Sequence, residues 1–253
     1  MRSALLSLIA FAILLASIGV QAQNRPEKKD PLLSPDDIAL IEVYEVNLDS
    51  DPPPRVVIPR DEIRKFLKEY QEDDEELRGR SNQESFLRSQ GHIQLSKFFE
   101  HKARDYYKHV RVRSQIETLR EWSNIHRRYV LEYFQPIFGS GAVQGLYLFP
   151  KGRDADRIEM TNFYILTQVT IDGKPFIDRN APEDSLLVQW GLPREEAKFP
   201  APAELEGWQP RFKDTDDKRF TEHVDWISSL ITANQGSTYG ISFNMPQHKR
   251  PRN

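Results

Sequence analysis

The chain has 253 residues, no cysteine, 35 Lys and Arg side chains and 38 Asp and Glu side chains, which give a formal net charge of −3. The lack of cysteine excludes disulfides, thiol catalysis, zinc–thiolate sites, iron–sulfur clusters and covalent c-type haem attachment. A charge this close to neutral argues against a dedicated nucleic-acid-binding protein, which normally has a strongly basic domain.

The first 22 residues have the pattern of a secretory signal peptide. Arg2 supplies a positive charge, residues 4–20 carry no charge, and Val20 and Ala22 are small residues at the positions that a signal peptidase recognises. The pattern predicts cleavage after Ala22 and an exported protein, periplasmic or extracellular, with no membrane span after cleavage. The alternative is an uncleaved membrane anchor, because the apolar run is nearly long enough to cross a bilayer.

The N-terminal half of the mature chain is predicted to begin with strands and to continue with helices. Apolar positions partly alternate after residue 37, as in a strand, and Pro59 with two acidic residues after it is typical of a helix start. The predicted elements are a flexible leader (23–36), a strand (38–46), a short strand (56–59), a helix from Pro59, a helical region (84–110) that Gly91 divides, and a further helix (114–133).

The C-terminal half is predicted to contain strands around one hairpin, followed by a terminal helix. Asp-Gly is a residue pair that two-residue hairpin turns favour, and apolar residues recur at helical spacing near the end of the chain. The predicted elements are strands (145–149 and 160–171), a hairpin turn at Asp172 and Gly173, a strand (174–178), a short helix (182–190), an irregular stretch (192–210), and a helix (214–231) capped by Thr215 or Asp216.

The segment IFGSGAVQG (137–145) is the most motif-like part of the chain. A dinucleotide-binding loop needs a strand before the glycines and a helix after them. Here a predicted helix precedes Gly139 and a predicted strand follows Gly145, so the order is wrong for a nucleotide site.

The other polar patterns favour structural roles over chemistry. His92, His101 and His109 are spaced by nine and eight residues, which does not place them on one helix face as metal ligands. The acidic residues at 214–222 lack the glycine and glutamate of a calcium loop and fit helix capping better. The basic and aromatic segment 101–113 suggests nucleic-acid binding, but its aromatic residues fall at core-like positions.

Several short sequence motifs follow one another along the chain. They are IALIEVYEV (38–46), HRRY (126–129), the glycine loop, GLYLF (145–149), TNFYIL (161–166), GWQPRF (207–212) and RFTEHVDWISSL (219–230). The ordered set resembles exported planctomycete proteins whose C-terminal portion looks like a cytochrome c domain. The resemblance implies a mainly helical α+β fold, with a small N-terminal strand–helix portion (37–112), a cytochrome c-like helical portion with an inserted β-hairpin (113–234) and a flexible tail (235–253).

In such relatives the segment after the HR phrase carries the haem-attachment cysteines and a histidine ligand. The corresponding segment here (130–149) has no cysteine, and Phe138 or a neighbour stands where the ligand is expected. An empty apolar cavity is costly, at roughly 24 cal/mol per Å³. We therefore expect no cofactor, and a haem site that is filled by aromatic side chains: Tyr133, Phe134, Phe138 and Tyr147.

These patterns assign no catalytic, cofactor-binding or metal-binding residue. The leading prediction is an exported, non-catalytic binding or interaction protein with an unknown protein or envelope partner, and no nucleic-acid partner. One alternative is a redox protein that holds haem non-covalently through His126 or His223 with Met160 or Met245. Another alternative is a cryptic envelope hydrolase.

The missing cysteines lead to a direct test. The protein produced together with haem-attachment machinery is expected to show no Soret absorbance, because no thiol is present to react with the vinyl groups. A c-type cytochrome produced in the same cells serves as the positive control. A stoichiometric covalent haem spectrum would contradict the prediction.

Overall fold

The computed structural model describes residues 30–138, 143, 146–203, 205, 207–231 and 239–244. The predicted signal peptide and the glycines of the 137–145 segment lie outside the described residues. From Leu32 onward the chain belongs to one unit. The α-helices are α1 (Pro35–Glu45), α2 (Arg60–Tyr70), α3 (Arg80–Arg88), α4 (Gly91–Glu100), α5 (Glu117–Ile125), α6 (Gln135–Phe138), α7 (Ala155–Gln168), α8 (Leu186–Gln189) and α9 (Lys218–Ser229).

Short strands and irregular helices connect these α-helices. Strands β1 (Val56–Val57) and β2 (Arg111–Val112) pair antiparallel, as do β3 (Thr170–Ile171) and β4 (Lys174–Pro175). Two 3-10 helices (Arg104–His109 and Pro182–Asp184) and a π-helix (His126–Phe134) complete the regular structure of the described residues. The prediction of a mainly helical α+β chain is therefore confirmed.

Helix α1 replaces the strand that was predicted for residues 38–46, so that prediction is wrong. The cause is a capping box: Ser34 Oγ accepts a hydrogen bond from the Asp37 backbone N–H at 3.1 Å, and the Asp37 carboxylate accepts one from the Ser34 N–H at 3.1 Å. Pro35 occupies the first helical turn, where its missing N–H costs nothing. The helix is buried on several sides, so its apolar residues do not show a clear helical period.

At the described residues, the strands predicted for 145–149 and 160–171 are also wrong, except at Thr170 and Ile171. Helix α7 is buried along most of its length, so its apolar run has no period that distinguishes a helix from a strand. Residues 146–149 form no regular element. Instead of a neighbouring strand, the Asn162 side chain bonds the Phe149 backbone: it accepts from the N–H at 2.8 Å and donates to the C=O at 3.0 Å.

Several other predictions are confirmed. Helix α2 begins directly after Pro59, and the hairpin turns at Asp172 and Gly173, both of which have positive φ. Gly91 starts a new helix, and a Cβ at this position would overlap the Val56 carbonyl, so glycine lets α4 lie against β1. Helix α9 is present, but its cap is Asp217, whose side chain accepts from the Arg219 N–H at 2.9 Å.

A pair of tryptophans holds α5, α7 and α9 together. The Trp122 and Trp226 rings stack at 5.4 Å, and Phe163 of α7 packs against Trp122 at 5.4 Å. Both indole N–H groups are satisfied by main-chain carbonyls: Trp226 donates to Thr118 at 2.9 Å and Trp122 donates to Glu159 at 3.1 Å. This packing fixes the position of α9 relative to α5.

A buried carboxylate links the end of α1 to two distant segments. Glu45 is 0% exposed; its carboxylate pairs with Arg179 at 2.9 Å and accepts hydrogen bonds from the Tyr239 hydroxyl at 2.7 Å and the Ile231 N–H at 3.3 Å. Arg179 also donates to the Ile231 carbonyl at 3.0 Å. Tyr239, which lies in the region predicted as a flexible tail, is buried.

None of the helices in the described part of the chain combines the length and the apolar character that crossing a bilayer requires.

The buried pair is expected to contribute strongly to stability. Glu45→Gln keeps the shape of the side chain but leaves the Arg179 guanidinium buried without an opposite charge, which should lower the free energy of unfolding by about 3–5 kcal/mol. The control is Glu84→Gln on α3, where exposed pairs with Arg80 and Arg88 are removed and the expected loss is below about 1 kcal/mol. Urea unfolding monitored by tryptophan fluorescence measures both. Equal losses would contradict the prediction.

Candidate functional site

A cavity of about 250 Å³ opens where α9 meets the end of α5, the start of the π-helix and the segment at residues 211–212. Such concave sites with an apolar interior and a few polar groups are where proteins most often bind small molecules. We call it the His223 cavity. Its wall consists of Asn124, Ile125, Arg128, Tyr129, Arg211, Phe212, Arg219, Glu222 and His223.

Aromatic rings form the apolar part of the His223 cavity. The buried rings of Tyr129 and Phe212 lie 5.4 Å apart, and both stand at a steep angle to the His223 ring, at centroid distances of 4.8 Å and 5.4 Å. The Tyr129 hydroxyl donates to the Leu187 carbonyl at 2.8 Å. Burial raises the pKa of Tyr129 well above its ordinary value, so this hydroxyl stays protonated and serves structure.

Gly191 allows these rings to approach each other. Its carbonyl accepts hydrogen bonds from the Arg211 N–H at 2.7 Å and the Phe212 N–H at 2.9 Å, which attaches the 211–212 segment to the end of α8. A Cβ at Gly191 would overlap the Tyr129 hydroxyl and the Phe212 ring. The cavity wall therefore depends on a residue without a side chain at this position.

His223 has one nitrogen satisfied and one nitrogen without a partner. Its Nδ1 lies 2.5 Å from the Arg219 carbonyl, and because a carbonyl only accepts, Nδ1 carries the proton. Nε2 is shielded from solvent and has no hydrogen-bond partner among the described residues. A buried polar atom without a partner costs about 1–3 kcal/mol. Burial lowers the pKa of His223 below its ordinary value, although the Arg219 carbonyl and the Glu222 carboxylate favour the protonated ring.

Positive charge predominates around the cavity. Within the described part of the chain, the exposed guanidiniums of Arg128 and Arg211 form no hydrogen bond or ion pair with another side chain. Arg219 is held by Asp217 through contacts of 2.8 Å and 3.2 Å, which lower the pKa of that carboxyl. Glu222 is the carboxylate in the wall, and Lys218 lies 3.4 Å from it. The arrangement favours an anion.

The π-helix supplies Arg128 and Tyr129 from neighbouring positions. It continues directly from α5 and ends with a hydrogen bond from the Gln135 N–H to the Val130 carbonyl, five residues back. Helical turns of this kind are rare and are often found at functional sites. Within this π-helix the side chain of Arg128 is exposed at the surface, and the ring of the next residue, Tyr129, is buried in the core.

His126, the other histidine considered as a haem ligand, lies in a different environment. It is 2% exposed, its ring packs on Trp122 at 5.3 Å, and its Nε2 receives a hydrogen bond from the Asn162 amide at 2.9 Å. Its Nδ1 has no hydrogen-bond partner and lies 3.7 Å from the Glu159 carboxylate. Met160 is buried in α7, and Met245 lies outside the described residues.

The remaining residues from the sequence analysis lie in structural contacts. His101 bonds the Asp74 carboxylate at 2.9 Å, and Lys97 lies 3.2 Å from the same carboxylate. Tyr106 and Tyr107 of the basic, aromatic segment are buried. Among the described residues, no group of three or more His, Asp or Glu side chains is arranged to hold a metal ion.

The aromatic residues that were expected to fill a haem site are partly described. Phe134 is fully buried and packs on Tyr129 at 4.9 Å, on Tyr133 at 5.0 Å and on Phe176 at 5.5 Å. Tyr147 packs on Phe149 at 5.1 Å. The side chain of Phe138 lies outside the described residues.

Sequence reasoning missed the His223 cavity. From the sequence, His223 is expected only as an alternative haem ligand, and Tyr129 is singled out only within the HRRY phrase. The spacing of Arg219 and His223, four residues apart on one helix, is a weak signal that the sequence does contain. The approach of Arg211 and Phe212 depends on Gly191, twenty residues earlier, and no local pattern indicates it.

Comparison of the chain with protein-family models, with curated proteins and with solved structures finds no match in any of the three.

The lowered pKa of His223 predicts a dependence of stability on pH. The unfolded chain binds the His223 proton with an ordinary pKa near 6.5, whereas the folded chain binds it more weakly. This contribution to stability is therefore complete above about pH 6.5 and is lost as the pH falls below that value towards the folded pKa. Urea unfolding at about pH 7.5 and about pH 5 should show a smaller loss for His223→Phe than for the wild type. Equal losses would contradict the assignment.

Proposed function

We propose that this chain is an exported, non-catalytic binding protein and that the His223 cavity binds a small organic anion. The observation that carries the proposal is the position of Arg128 and Arg211, two guanidiniums without side-chain partners among the described residues, beside the buried rings of Tyr129 and Phe212. Guanidinium groups bind carboxylates and phosphates well because they present several donors in one plane.

The size of the cavity limits the ligand. An engineered apolar cavity of about 150 Å³ binds benzene, so about 250 Å³ has room for one ring with small substituents. The same volume is below the range of about 300–1,000 Å³ that is usual for drug-sized ligands. A porphyrin is at least drug-sized, so this volume favours the small anion over the non-covalent haem that His223 was considered to bind.

The chemistry of the wall favours binding over catalysis. Its polar groups are three guanidiniums, one amide, one carboxylate, one imidazole and one phenol hydroxyl. The Tyr129 hydroxyl is bonded to a main-chain carbonyl, so it is not available as a nucleophile. These groups are suited to holding an anion against aromatic rings.

Export and the degenerate cytochrome c-like scaffold remain part of the proposal. Support for export comes from the sequence of residues 1–22. Support for the scaffold comes from the order of phrases along the chain and from the buried aromatic cluster around Phe134. An apolar cluster of this kind would occupy space that a porphyrin needs.

Benzoate and its uncharged analogue benzamide test the proposal. Isothermal titration calorimetry on the purified protein is expected to show tighter binding of benzoate, because only benzoate carries a charge that Arg128 and Arg211 can bind. Replacing both arginines by glutamine should weaken benzoate binding by at least about tenfold, as expected when charge-assisted hydrogen bonds are lost.

Arg64→Gln is the matched control for the double replacement. Arg64 is exposed on α2, pairs with Asp61 at 2.9 Å and is not part of the cavity wall. Its replacement should leave benzoate binding unchanged. No benzoate binding at millimolar concentration, or equal affinity for benzoate and benzamide, would overturn the proposal.

A further inference from the structure

We propose that the ligand of the His223 cavity carries a hydroxyl group in addition to its acidic group, and that Nε2 of His223 accepts a hydrogen bond from this hydroxyl. The ligand class is then a hydroxylated single-ring organic acid. This inference rests on the proposed function and names the class of ligand that the same site selects.

The tautomer of His223 defines what the site needs. Nδ1–H donates a hydrogen bond to the Arg219 carbonyl at 2.5 Å. In the neutral ring Nε2 therefore has a lone pair and no proton. A ligand group that satisfies Nε2 must therefore be a donor, and a carboxylate alone is not a donor. An O–H group on the ring of the ligand supplies the missing hydrogen bond.

The surroundings of Nε2 increase the contribution that this hydrogen bond makes to ligand affinity. The atom is shielded from solvent and, within the described part of the chain, has no partner, so a ligand that donates to it does not have to replace a hydrogen bond to bulk water. Sites that present a buried polar atom to a substrate hydroxyl discriminate strongly against analogues that lack it.

The ring of the ligand packs against the aromatic side chains of the cavity wall. Tyr129 and Phe212 both meet the His223 imidazole at steep angles, so the three rings enclose one side of the cavity. Aromatic rings pack well in offset or edge-to-face contacts of this type. A single aromatic ring placed against them brings one substituent towards His223 and leaves another near the arginines at the surface.

Access to Nε2 requires a small movement of the wall. Because Nε2 is shielded from solvent, the ligand reaches it only after a wall side chain turns aside. Arg128, Arg219 and Glu222 are exposed, charged side chains of the wall. Exposed side chains change rotamer in picoseconds to nanoseconds, so an opening made by these residues alone would not limit binding.

The experiment compares ligands that differ in one group. The three hydroxybenzoate isomers are titrated into the purified protein beside the three methylbenzoate isomers, in which a methyl group of similar size replaces the hydroxyl. At least one hydroxybenzoate is expected to bind about three- to tenfold more tightly than the corresponding methylbenzoate, the range given by one neutral hydrogen bond.

The variant His223→Phe should abolish this preference, because phenylalanine has no acceptor. His92→Phe is the matched control, since His92 lies on α4 and is not part of the cavity wall, and it should keep the preference. The wild-type comparison does not depend on either variant being stable.

The outcomes separate this inference from the proposed function. If every hydroxybenzoate binds no more tightly than its methyl counterpart, the role of Nε2 is wrong while the anion site stands. If none of the six acids binds, the anion site itself is wrong. If His223→Phe retains the preference, the hydroxyl is recognised by another group and the inference is overturned.

Discussion

The buried carboxylate of Glu45 is the constraint on which the arrangement of this protein depends. A charge without exposure to water costs several kcal/mol unless it is fully compensated. Arg179, the Tyr239 hydroxyl and the Ile231 N–H together provide that compensation, and all of them lie far from α1 in the sequence. The position of α1 is thereby coupled to the segment that directly follows α9.

This coupling matters for the His223 cavity because α9 forms one side of it. At its C-terminal end the helix leads into Ile231, which is bonded to Glu45 and Arg179. In its middle, Trp226 stacks on Trp122 of α5. His223 lies between these anchors and the capped N-terminus, where its Nδ1 bonds the Arg219 carbonyl within the same helix. The helix that carries this histidine is therefore fixed in its middle and at its C-terminal end by contacts with distant segments.

Elements that depend on a few neighbouring residues were predictable from the sequence, whereas contacts between distant residues were not. The hairpin at Asp172 and Gly173 and the start of α4 at Gly91 were predictable because each depends on the backbone freedom of one or two residues. Helix α1 was missed although its capping box is local, since the prediction rested on the partial alternation of its apolar residues and did not consider Ser34 and Asp37. Helix α7 could not be distinguished from a strand by period, because it is buried almost throughout. The His223 cavity was not predictable, because Tyr129, Phe212 and His223 meet only through tertiary contacts.

The missing side chain of Gly191 has a consequence for recognising this site in other chains. A chain that builds the same ring cluster needs glycine where the backbone passes the tyrosine hydroxyl, and needs two backbone N–H groups from a later segment at the glycine carbonyl. Together with the wall side chains, this gives a pattern of widely separated residues: Arg128-Tyr129, Gly191, Arg211-Phe212 and the Arg219 to His223 spacing. Such a signature can persist while the surrounding surface diverges, because each of its positions is set by steric contact or charge at one small volume.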